Sequence, residues 1–169
     1  MKKSLCLICL IFSAFVLTAC GSNKNQISVA EAGYFCDGTV SYGENFSCKI
    51  TAHAVGGGIF SLKINEPNNI AGLTYSFDNS EMSISYDKLK ADASLPLEYG
   101  GFAEILNEIF LKFTTSRPTV FEKDGKYLYE GTNSKYKFTV AFNEQGFPLS
   151  LTADEENLVA TFSNWRYEQ

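Results

Sequence analysis

From Tyr34 onward apolar and polar residues alternate with a period of two, the pattern of strands that bury one face and wet the other. Tyr34, Cys36, Val40 and Tyr42 share one face of a first segment, with Asp37, Thr39 and Ser41 on the other. Past a turn at Gly43-Glu44-Asn45, the residues Phe46, Cys48, Ile50, Ala52 and Ala54 oppose Ser47, Lys49, Thr51 and His53. Past the bend Gly56-Gly57-Gly58, Phe60, Leu62 and Ile64 oppose Ser61, Lys63 and Asn65. Registers follow from requiring apolar residues to meet across each hairpin. A loop at Asn79-Ser80 sets Phe77 against Met82, Tyr75 against Ile84 and Leu73 against Tyr86. A loop at Asn133-Ser134 sets Gly131 against Tyr136, Tyr129 against Phe138 and Tyr127 against Val140. Beyond residues 143–146, Phe142 would meet Phe147, Val140 would meet Leu149 and Phe138 would meet Leu151; beyond 154–157, Ala153 would meet Leu158, Leu151 would meet Ala160 and Leu149 would meet Phe162.

One stretch breaks the period. Tyr99, Phe102, Ile105, Leu106, Ile109, Phe110 and Phe113 recur at three- and four-residue intervals, a single apolar stripe along a helix. Glu104, Asn107, Glu108 and Lys112 fall on the other face, where Glu104, Glu108 and Lys112 form a row that reads as surface charge pairing. Pro118 ends anything helical before it. A sheet with one apolar face and a helix with one apolar stripe must cover each other. The expected fold is α+β: a strongly curved antiparallel meander, a half-barrel of about ten strands, with one amphipathic helix at about residues 99–113 across its concave face. Residues 28–31 have the spacing of a capping box and allow a short helix before the first strand.

The N-terminus has a different character. Lys2 and Lys3 precede an uncharged, mostly apolar run from Leu5 to Ala19, the n- and h-regions of an export signal. Leu17-Thr18-Ala19-Cys20-Gly21 then resembles the bacterial lipobox. That resemblance implies that Cys20 takes a diacylglyceryl group and becomes the first mature residue. The chain divides accordingly into a signal at 1–19, a lipidated cysteine and polar tether at 20–27, and one domain at 28–169. Two acyl chains hold a protein stably on a bilayer where one does so only marginally. The polar stretch from Gly21 to Gln26 reaches about 20 Å when extended, so the domain is expected to lie close to the extracytoplasmic face of the cell membrane. Removing Lys2 and Lys3 leaves 12 basic against 19 acidic residues, a net charge near −7. That balance argues against nucleic-acid binding and against a polybasic grip on anionic lipid.

Lipobox, one-sided meander, central helix and second meander together resemble the sheet-and-helix fold shared by the bacterial outer-membrane lipoprotein carrier, its receptor lipoprotein and several mycobacterial lipid-binding lipoproteins. Residues 72–77 (GLTYSF), 129–132 (YEGT) and 146–151 (GFPLSL) resemble a group of uncharacterised lipoproteins of Gram-positive anaerobes. The carrier resemblance implies an apolar cavity between sheet and helix. The arginine which that family carries near the cavity mouth has no matching position here. Candidate lining residues are Phe60, Tyr75, Phe77, Tyr86, Phe102, Phe110, Phe113, Tyr127, Tyr129, Phe138, Phe142 and Phe162; the same rings could equally fill a solid core.

Other chemistry is sparse. Cys36 and Cys48 form an even pair in an oxidising compartment, but a turn at residues 43–45 sets Cys36 against Ala52 and Cys48 against Val40. That separation of about 13 Å disfavours a disulfide and favours two buried thiols. His53 is the single histidine and reads as a strand-surface residue, with no nucleophile motif near it. Asp154-Glu155-Glu156 lacks calcium-loop spacing and reads as a solvated turn. Gly56-Gly57-Gly58 precedes no helix and is no phosphate cradle. No catalytic residue, metal site or cofactor is expected. The sequence points to a non-enzymatic anchored lipoprotein that binds or carries a lipid or other apolar ligand, with an anchored structural or interaction module as the alternative; it names no protein partner.

Overall fold

The computed structural model describes residues 33–79, 81–93, 101–115, 119–133 and 135–168. The expected export signal, Cys20, the expected tether, the capping-box segment, Tyr99 and Pro118 lie outside the described residues. The alternating segments form β1 (Tyr34–Tyr42), β2 (Phe46–Gly56), β3 (Ile59–Glu66), β4 (Thr74–Asp78), β5 (Glu81–Tyr86) and β6 (Leu89–Ala93) before helix α1 (Phe102–Thr115). After it come β7 (Phe121–Lys123), β8 (Lys126–Thr132), β9 (Lys137–Phe142), β10 (Pro148–Ala153) and β11 (Leu158–Tyr167). All eleven belong to one open antiparallel sheet in the order β6-β5-β4-β3-β2-β1-β11-β10-β9-β8-β7. The two meanders meet where β1 pairs with β11, and α1 connects the two free edges.

The sheet has to curl. In Phe102 and Phe113, α1 touches Tyr75 on β4 and Tyr129 on β8, strands seven steps apart. At about 4.8 Å per step a flat sheet would separate them by roughly 34 Å, whereas eleven helical residues advance only about 16 Å. The apolar face therefore wraps the helix as a half-barrel, and the core is the space between them.

Three predicted registers hold and two slip. Cys36 faces Ala52 and Cys48 faces Val40. Phe77 faces Met82 and Tyr75 faces Ile84; Ala153 faces Leu158 and Leu151 faces Ala160. In the β8–β9 hairpin Tyr129 faces Val140 and Tyr127 faces Phe142, a slip of two from expectation. Asn133 is the cause. Its Oδ1 accepts the backbone N–H groups of Lys135 and Tyr136 at 2.9 and 2.8 Å, moving the turn one residue along the chain. Asn143 acts similarly at the next turn, accepting from Gln145 and Phe147 at 3.0 and 2.9 Å, and an irregularity between Pro148 and Ser150 completes the slip that sets Leu151 opposite Val140. Among the described residues the helix runs Phe102–Thr115, preceded by Gly101, a poor helix former.

Candidate functional site

Helix α1 lays its stripe along the concave face ring against ring. Phe102 meets Phe46 at 5.2 Å, Tyr75 at 6.0 Å and Tyr42 at 6.4 Å. Phe110 stacks on Phe60 at 4.9 Å and meets Phe162 edge-on at 5.6 Å. Phe113 meets Phe142 at 5.1 Å and Tyr129 at 5.7 Å. Of the candidate lining residues, Phe60, Phe77, Phe102, Phe110, Phe113, Phe138, Phe142 and Phe162 are buried. Tyr75, Tyr127 and Tyr129 are partly buried and packed on the core. Tyr86 stands apart at 44% exposure, since it ends β5 opposite the exposed Leu89 of edge strand β6.

A second aromatic group lies past Phe162. Trp165 stacks on Phe147 at 5.1 Å and meets Tyr34 at 5.3 Å, and Phe147 meets Tyr167 at 5.4 Å. Strict alternation from Phe162 would turn residue 164 inward. Instead the β1–β11 register shifts between Phe35 and Asp37, Asn164 takes a left-handed φ of 54°, and Trp165 points to the core. The three-residue step from Phe162 to Trp165 is the sequence signal of that bulge. Burial pushes the Tyr34 hydroxyl pKa upward.

The thiols are placed as the turn at residues 43–45 requires: Cys36 opposite Ala52, Cys48 opposite Val40, both free and buried. Burial, reinforced for Cys36 by the neighbouring Asp37, raises Cys36 to about 12, and burial raises Cys48 to about 11. Both stay protonated at neutral pH, which removes nucleophilic chemistry from them. On the outer face His53 stacks on Phe35 at 3.7 Å, with Nε2 3.5 Å from Glu168 Oε2. Asp37 accepts from Thr51 and Asn164, each at 3.1 Å, with Arg166 at 3.4 Å. A hollow of about 520 Å³ beside this network is lined by Asp37, Thr39, Lys49, Asn65, Thr161 and Ser163 among others. The Asp154–Glu156 segment is a single 3-10 turn, and Glu155 accepts the Lys137 backbone N–H.

The result is an apolar, aromatic concavity under one helix and a polar outer face. No family model and no curated protein matches the chain. Similar solved structures include a LolA superfamily protein from Nitrosomonas europaea, at 10% identity and a TM-score of 0.49 over 86% of this chain and 90% of that one. Another is an uncharacterised conserved protein from Thermus thermophilus, at 9% identity and a TM-score of 0.43 over 86% of this chain and 83% of that one.

Proposed function

We propose that this chain is a membrane-anchored extracytoplasmic lipoprotein with no enzymatic role, which binds or carries a lipid or another apolar ligand between its sheet and α1. The observation that carries the reading is the incomplete cover of the concave face. One 14-residue helix spans its middle, while Leu73, Tyr75 and Met82 on one side and Tyr127 and Tyr129 on the other pack on the core yet are only partly buried. Concave apolar surface with tyrosines at its margins is what ligand pockets are built from. The lipobox-like LTACG sequence supports anchoring, and an anchor supplies a nearby source of apolar ligand.

Direct ring contacts at 4.9 to 6.4 Å along α1 favour a second reading, an anchored module with a solid core. Native mass spectrometry of the chain from Gly21 onward, purified without detergent, separates the two. Co-purifying lipid is expected; protein carrying none, by mass and by solvent extraction, would leave the solid core. The anchor has its own test. Cys20→Ser is expected to abolish metabolic labelling with palmitate, and labelling that persisted would overturn the lipidated N-terminus.

A further inference from the structure

The two flanks of α1 meet the sheet differently. On one, Glu108 Oε2 accepts hydrogen bonds from Tyr136 Oη and Asn133 Nδ2, each at 2.7 Å, and Lys112 Nζ donates to the Thr132 carbonyl at 2.9 Å. Beyond the charge row read from the sequence, Glu108 and Lys112 clamp the β8–β9 hairpin, matching polar group to polar group. The opposite flank carries Ala103, Asn107 and Phe110, and the stacking of Phe110 on Phe60, itself 6.2 Å from Phe77, sets Phe110 against β3, next to β4.

Asn107 does not fit a purely structural account. It is 5% exposed, and its Oδ1 is buried with no hydrogen-bond partner. Leaving such a group unsatisfied costs about 1–3 kcal/mol, and folded proteins rarely tolerate it without cause. Helix propensity offers no compensation, because asparagine is among the weaker helix formers and leucine among the stronger. Leucine at 107 would serve a closed core better on both counts. On the same flank Phe110 stacks on Phe60 of β3, the strand beside β4 and its partly buried Tyr75.

The geometry points to Asn107 as the polar anchor of the bound molecule: an amphiphile with an apolar chain and an uncharged head bearing a hydroxyl or amide, which pairs with the Asn107 carboxamide. The inference rests on the ligand-binding reading above. Charge selects a neutral head over a fatty-acid carboxylate. Glu104 precedes Asn107 by three residues and so neighbours it on the helix. Its carboxyl is held above the usual range by burial and by Glu108, with Lys135 acting in the opposite sense. A second carboxylate placed there would meet surroundings that already resist negative charge.

Displacement of Nile red from the full-length protein in amphipol, by monopalmitoylglycerol and by palmitate, tests this. Wild type is expected to prefer monopalmitoylglycerol by about tenfold, the worth of one buried hydrogen bond. Asn107→Leu, with Asn107→Ala as the smaller change, is expected to bring that ratio to about one while Asn107→Leu raises the thermal midpoint of the ligand-free protein. Equal affinities in wild type, or a preference unchanged in both variants, would overturn the role of Asn107 and leave ligand binding intact; a water on the amide predicts the latter result. Failure of both probes to displace the dye from wild type would remove the ligand-binding reading together with the anchor.

Discussion

Replacing Phe110 by alanine is expected to lower the unfolding free energy by about 3–5 kcal/mol, measured by urea denaturation. Phe110 is 2% exposed and is the ring at which three parts of the chain meet. It stacks on Phe60 of the first meander, meets Phe162 of the second, and touches Phe113 on its own helix at 6.3 Å. Removing it opens a void that neither half of a hydrogen-bonded sheet can close alone. Phe121→Ala on edge strand β7 is the control: at 42% exposure it is expected to stay within about 0.5 kcal/mol. A loss below about 1 kcal/mol for Phe110→Ala would mean that the space under α1 is slack. The same variant bears on function. A void lined by apolar rings binds apolar molecules, so in a ligand-binding concavity part of the loss should be recovered when a lipid is supplied.

Which face each residue takes was legible because it depends on alternation alone. Every inward position assigned in β1 to β3 is at least half-buried, and the stripe Phe102, Ile105, Leu106, Ile109, Phe110 and Phe113 is buried throughout. Register is a separate quantity. It was readable at Asn79-Ser80, where backbone geometry sets the turn, and unreadable at Asn133 and Asn143, where one side-chain oxygen captures two backbone N–H groups and shifts the turn. A slip of two keeps every side chain on its own face, so the hydrophobic pattern cannot detect it. Trp165 was missed for a related reason: a bulge restores inward pointing after a break that alternation scores as the end of a strand. The β1–β11 seam joins residues more than a hundred positions apart, and no local signal announces it. Tyr86 illustrates the converse, an in-phase aromatic that continues the pattern past the reach of the helix. The polarity of Asn107 puts it on the wet side of the stripe, and its burial is the clearest place where local chemistry and position disagree.

At the seam, Gly38→Ala is expected to cost about 1–3 kcal/mol, the usual range for overpacking, and Gly38→Val to lie at or beyond its upper end. Gly38 stands between Ile50 of β2 and Phe162 of β11 and turns inward between Cys36 and Val40. A Cβ there would lie 2.9 Å from the Thr161 carbonyl oxygen, 3.1 Å from Phe162 Cδ1 and 3.3 Å from Ile50 Cγ1. The first of these is backbone in the central pairing of the sheet and has little freedom to move. The second matters for the site, because the missing side chain at 38 is what lets Phe162 lie against β1 and still reach Phe110. Gly131 is filled in a comparable way by the Phe138 ring, but there the obstruction is the end of a side chain and the hairpin lies toward the sheet edge, so Gly131→Ala should cost less. A double-mutant cycle identifies the origin of the Gly38 effect. If the ring is the obstacle, Phe162→Leu should recover part of the loss in Gly38→Ala, giving a favourable coupling between two separately destabilising changes. Strictly additive losses would place the clash on the Thr161 carbonyl instead, and the β1–β11 seam rather than the Phe162–Phe110 contact would then be what the glycine protects.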